Sequence, residues 1–284
     1  MGALAAPVQT PAAADVMTRA RGENFPVAGL LLGRRRRDGL LALYGFARLV
    51  DELGDTFEGD RLAALDWAEG ELRGAFRGEA RHELFGALQS TVERCSLPIE
   101  PFLRLLEANR LDQRVSRYES WEQLRGYCHL SADPVGELVL GVFAAATPAR
   151  VGLSDSICTA LQLTEHLQDV AEDHARGRVY LPREDLERFG VDERELGGTS
   201  CGPRLRALIA FECERAQRLY DAGEPLLGEL HGRERLCVGA FLAGGRSATL
   251  AIERSGCEVL GRSPRPSRAL QARVLVRTLA RRSR

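Results

Sequence analysis

The chain has 284 residues, 44% hydrophobic and 28% charged, a balance that suits a globular protein with a sizeable core. Its 39 basic and 40 acidic residues leave a net charge of −1, so no chain-wide field recruits nucleic acid or anionic lipid. All the basic residues are Arg, which removes Schiff-base lysines and the lysine of a Walker phosphate loop. The seven Cys form no CxxC pair and the five His no HExxH, so a disulfide framework and a zinc site are both disfavoured. No uncharged apolar run reaches about 18 residues. The start lacks the order of a secretory signal, and the expected location is the cytoplasm.

Residues 1–20 are Ala-rich without apolar period and read as a disordered leader. From Arg34 on, apolar residues recur at three and four residue spacing while β-branched alternation is absent, so the fold class is all-α. The pattern predicts helices over 35–55, 60–77, 80–95, 98–116, 120–146, 152–175, 202–231 and 233–255, with Pro134 kinking the fifth. The resulting organisation is a leader 1–20, one helical domain 21–260 and a basic tail 261–284. Arg262–Arg284 hold eight Arg and no acid, with Leu270, Val274, Leu275 and Leu279 at helical spacing. Two readings stand for this tail: a peripheral anchor to anionic membrane, or a helix packed on the domain with its arginines in water.

The informative stretch is LLALYGFARLVDELGD, 40–55. On a helix it places Tyr44, Arg48, Asp51 and Asp55 on one face of an otherwise apolar segment. Carboxylates four residues apart repel, so a stripe turned to solvent and a stripe turned to a cavity are the two readings. SICTALQLTEHLQDVAED, 156–173, repeats the device with Gln162, Glu165 or His166, Asp169 and Asp173. Four Asp across one cavity need cations, and oxygen-only ligands select a hard ion such as Mg²⁺, which shares carboxylates with phosphate oxygens. A diphosphate follows as the third party, with a helical cavity to shelter the carbocation left when it departs. Tyr44, Phe25, Phe46 and Tyr127 are candidate aromatic faces for that cation.

YGFARLVDELGD (44–55), YCHLSADPVG (127–136) and QLTEHLQDVAEDHARGRVYLP (162–182), in this order, resemble the squalene/phytoene synthase family. Within it, ENFPVA (23–28), SADPVG and GRVYLPREDLERFG are most similar to the hydroxysqualene synthase branch of bacterial hopanoid biosynthesis. The resemblance implies an isoprenoid-synthase helical bundle with a central cavity. It implies Mg²⁺ on Asp51, Asp55, Asp169 and Asp173, with Glu165 a further ligand where the family commonly has Asn. It implies diphosphate contacts by Asn24, Arg48, Gln162, Arg178 and Tyr180, and catalysis by Tyr127 and Tyr44. Leu130 and Asp133 depart from the family pattern around the YC motif.

The reaction implied is conversion of presqualene diphosphate and water to hydroxysqualene and diphosphate, without NADPH. The expected partners are a prenyl diphosphate and, through the basic tail, the inner face of a membrane, with no nucleic acid. Alternatives are a head-to-head condensing prenyl synthase and a non-catalytic scaffold of the same fold.

Overall fold

The computed structural model describes residues 32–261 and 263–280, together with 11, 13 and 16. The remainder of the leader, and with it Asn24, Phe25 and ENFPVA, lies outside the described residues, as does Arg262. Among the described residues the elements are helical, and pairing of the β type is confined to an isolated bridge between Arg117 and Val179. In chain order the helices are α1 (Arg34–Asp55), α2 (Arg61–Phe76), α3 (Glu83–Cys95), α4 (Glu100–Leu111), α5 (Trp121–Ser131), α6 (Asp133–Val142) and α7 (Pro148–Gln168). There follow α8 (Val170–Ala175), α9 (Arg183–Phe189), α10 (Pro203–Gly223), α11 (Leu226–Glu229), α12 (Gly232–Arg254) and α13 (Arg268–Ala280), with a 3₁₀ turn at Glu193–Gly197.

Local chemistry sets these limits. Asp60 caps α2 by accepting from Ala63 N at 3.0 Å, and Ser120 caps α5 by accepting from Gln123 N at 3.3 Å. The kink expected at Pro134 is a full break. Helix α5 stops at Ser131 and α6 restarts at Asp133, which puts Pro134 in a first turn where its missing N–H removes no helical bond. Pro225 likewise splits the single helix expected over 202–231 into α10 and α11. The helix expected over 152–175 begins earlier, at Pro148, and bends at Asp169 (φ −109°, ψ 13°).

The chain divides into two compact units, Met1–Arg114 with Pro134–Val151, and Val115–Asp133 with Gly152–Arg284. In the first, α1 supplies the spine: Leu49, Val50 and Leu53 are fully buried. Phe46 meets Phe85 of α3 and Phe102 of α4 edge to face, with centroids 5.9 and 5.2 Å apart.

In the second unit, Leu167, Val170, Leu181, Leu205, Ile209 and Ile252 share one apolar cluster. Beside it runs a fully buried polar line. Tyr220 Oη donates to Ala160 O at 3.1 Å, and its oxygen lies 2.9 Å from Thr164 Oγ1, which is 3.1 Å from Thr249 Oγ1. Gly245 makes room for it, since a Cβ there would come within 2.1 Å of Tyr220 Oη. Helix α12 is long and apolar enough to cross a membrane, yet Cys237, Leu242, Ser247 and Thr249 are buried within this unit. The basic tail forms α13, with Leu270 and Val274 packed with Ala243 of α12, while Arg273 and Arg277 face solvent.

Candidate active site

On α1 the polar face expected from spacing is present, and its members differ in surroundings. Tyr44 is buried. The Arg48 guanidinium lies 3.5 Å from the carboxylate of Glu52, a buried acid next to the motif. Asp51 and Asp55 are both exposed, so this stretch of the stripe faces solvent. Desolvation by the surrounding protein still raises the Asp51 carboxyl above its ordinary range, opposed by a hydrogen bond from Asn109 and reinforced by the like charge of Asp55.

Asn109 of α4 donates to Asp51 Oδ1 at 3.3 Å. Gln113 donates to Gly54 O at 2.9 Å. Both contacts depend on Gly54, where a Cβ would stand 2.3 Å from Asn109 Oδ1. The glycine between Leu53 and Asp55 is therefore what lets α4 reach the first aspartate. Nothing in the sequence singles out Asn109, because ANRLDQ carries no spacing signal beyond that of an ordinary helix face.

In the second unit, α7, α8 and the stretch after them carry the other residues. Gln162 and Asp173 are half-buried, and Glu165 and Asp169 are exposed. The Asp173 carboxyl is raised to about 7, first by burial and then by Asp169, against the pull of Arg176 and Arg178. Asp169 is raised by burial and Glu172 and lowered by Arg176 and by Arg265. Arg265 precedes α13 in a stretch tied down by Gln168, which donates to Pro264 O at 2.7 Å.

The RxYLP segment is held from behind by 115–119. Val179 N donates to Ser116 O and Arg183 N to Tyr118 O, each at 2.9 Å. Arg117 donates to Gly177 O at 2.5 Å and to both oxygens of Glu193. This anchoring turns Tyr180 inward. Its ring stacks face to face on His166, with centroids 3.8 Å apart and planes within 9°. Tyr118 lies 5.8 Å from Tyr180 and 5.4 Å from Tyr127, closing a group of three tyrosines and one histidine. All four rings are buried, and burial drives the His166 imidazole down to about 3, so it is neutral. The resemblance named Tyr127 and Tyr180, but nothing in the sequence pointed to Tyr118 or to the stacking role of His166, because the four rings come from four separate segments.

Asp133, one of the departures from the family pattern, is buried. Thr159 Oγ1 donates to its Oδ1 at 2.9 Å and His129 Nδ1 lies 3.3 Å from its Oδ2. Asp155 brings a further oxygen within 4.8 Å of these two side chains, but both Asp133 oxygens are already engaged.

Together, one unit presents Tyr44, Arg48, Asp51 and Asp55 from a single helix. The other presents Tyr127, Gln162, Asp169, Asp173, Arg178 and Tyr180 from three neighbouring segments. Each acid pair sets two carboxylates near an arginine, a donor set that suits a hard cation with an anionic ligand.

A family model described as squalene/phytoene synthase matches residues 18–277. Among solved structures, squalene synthase HpnC from Alicyclobacillus acidocaldarius is 47% identical, with a TM-score of 0.81 over 86% of this chain and 92% of that one. The hydroxysqualene synthase of Rhodopseudomonas palustris is 38% identical over 214 residues, 74% of this chain and 72% of the relative. Phytoene synthase 1, chloroplastic, of Solanum lycopersicum is 32% identical over 228 residues, 78% of this chain and 55% of that longer one. An all-α chain with both acidic motifs, the YC motif and the RxYLP segment, matched by that model over most of its length, belongs to the squalene/phytoene synthase family.

Proposed function

We propose that the protein converts presqualene diphosphate and water to hydroxysqualene and diphosphate. The observation that carries this reading is the pair of acid couples, Asp51 with Asp55 and Asp169 with Asp173, each four residues apart on a helical turn, in which desolvation and a like-charged neighbour raise one carboxyl. Carboxylates so placed are suited to hold Mg²⁺ against a diphosphate. Bound there, the ion supplies charge that stabilises the diphosphate as a leaving group. On the second unit Arg178, Gln162 and Tyr180 are the groups suited to contact a diphosphate, and on the first unit Arg48 is.

The C–O bond breaks with its electron pair going to the diphosphate. The cyclopropylcarbinyl cation that remains rearranges, and water adds through oxygen with loss of one proton. The faces of Tyr127 and its neighbours suit a cation, and their burial keeps bulk water from capturing it early. No hydride donor enters this scheme. The hydroxysqualene synthase relative at 38% identity supports this product.

A second reading, condensation of two prenyl diphosphates, is favoured by the phytoene synthase relative. The test is purified protein with Mg²⁺ and either presqualene diphosphate or farnesyl diphosphate, without NADPH, and mass spectrometry of the extracted product. Hydroxysqualene from presqualene diphosphate is the expected result. Consumption of farnesyl diphosphate alone selects the condensing reading, and turnover of neither rejects both. For location, the proposal is a cytoplasmic protein resting on anionic membrane through the outward arginines of α13.

A further inference from the structure

His166 meets three of the residues assigned to the diphosphate site, each through a different part of its ring. Gln162 Nε2 lies 3.2 Å from His166 Nε2. With the amide nitrogen donating, Nε2 accepts and Nδ1 carries the proton. Nδ1 lies 4.0 Å from Asp173 Oδ2. The face of the ring lies flat on Tyr180 at 3.8 Å, and Tyr127 stands 6.3 Å away at a tilt of 35°. Asp173, Arg178, Tyr180 and His166 also line one small internal recess. Gln162 belongs to α7, Asp173 to α8 and Tyr180 to the segment after it, so the imidazole ties three pieces of chain whose own backbones are not in register.

We infer that His166 is a positioning residue for the diphosphate end of the substrate, holding the Gln162 amide by its edge and the Tyr180 ring by its face. This rests on the reading of that face as a diphosphate site. An apolar ring here would keep the stack and fill the space but leave Gln162 without its acceptor, free to turn to other rotamers. The device has two separable parts, a hydrogen bond and a stack, and neither touches the reacting carbon. It therefore acts on binding of the diphosphate more than on the chemical step.

The experiment uses the full chain and titrates inorganic diphosphate in the presence of Mg²⁺ by calorimetry, alongside KM and kcat for presqualene diphosphate. His166→Phe retains the ring and removes both nitrogens, and His166→Gln retains an amide and removes the ring. The expected result for H166F is a loss of diphosphate affinity of about 3–10-fold, the worth of one hydrogen bond. KM should rise in proportion, with kcat within about twofold and a thermal midpoint close to that of the parent. H166Q should lose affinity as well, through Tyr180. Asp173→Asn is the control. If D173N abolishes diphosphate binding and H166F binds as the parent does, the positioning role is overturned while the site stands. If D173N also binds as the parent does, the site itself is wrong and the role falls with it. A fall in thermal midpoint with unchanged affinity marks His166 as packing only and overturns the inference.

Discussion

Gly54 and Glu212 show how single residues set the terms around them. Adding a methyl at Gly54 drives it into Asn109, so Gly54→Ala should lower stability by about 1–3 kcal/mol through overpacking and should impair turnover, because the Asn109 contact to Asp51 is displaced. Denaturant midpoints and product formation measure the two effects, and parent-like values in both would show that α4 yields without strain. Glu212 is fully buried. Arg215 donates to both its oxygens at 2.6 and 2.7 Å and to Asp185 at 2.9 Å. One guanidinium thus serves two carboxyls, and burial raises Glu212 to about 7. The folded state holds this proton more tightly than the unfolded chain does. Its contribution to stability is therefore present in full below the ordinary Glu range and is lost as pH rises through 7. Glu212→Gln should flatten the fall in denaturant midpoint between pH 5 and pH 8, and an unchanged slope would assign that fall to other groups.

At the scale of elements, the segment after α8 depends on a strap rather than on helix packing. Arg117 joins Gly177 O and Glu193 to the strap, and both ends of the Arg117–Glu193 pair are partly exposed, so that pair contributes below about 1 kcal/mol. Arg117→Ala should leave global stability nearly unchanged and yet speed hydrogen exchange at the Val179 amide, which donates across the bridge. Exchange as slow as in the parent would mean that the bridge holds without the arginine. Helices α1 to α4 were legible in the sequence because each has an apolar stripe of several turns. Helix α9, of seven residues, and the 3₁₀ turn capped by Asp192 are too short for periodicity to register. Pro134 announced a disturbance, but not that the chain would stop and restart around it. That outcome depends on Asp133 being held by Thr159 of α7, 26 positions along.

For the whole molecule, fold class and the two acidic stripes could be read from the sequence because helical spacing maps letters onto faces, whereas Tyr127, Arg178 and Tyr180 were named by resemblance. Partners such as Asn109 for Asp51 or Tyr118 for Tyr127 could not, because tertiary packing alone brings them together. The tail illustrates the same limit. Its apolar positions suit either a membrane or a neighbouring helix, the packed helix being the plainer reading, and Leu270 and Val274 are buried with Ala243. Ending the chain at Gly261 should therefore destabilise the protein, since burial of each such Leu or Val contributes about 1.5–3 kcal/mol. A thermal midpoint unchanged by the truncation would contradict this packing. Membrane contact is better tested with Arg273→Gln and Arg277→Gln, which spare the packed face, and the double variant should sediment less with anionic liposomes.

The bend at Asp169 bears on how the two acid pairs differ despite identical spacing. Asp51 and Asp55 ride one unbroken helix, and their separation is set as rigidly as two teeth of a comb. Asp169 sits where the backbone leaves the helical region and heads α8, with Asp173 N donating to its carbonyl at 2.8 Å, so the second pair spans the opening turn of a new helix. The first pair takes its aim from a helix of 22 residues and the second from one of six, so the direction of the second is set by whatever holds α8 in place.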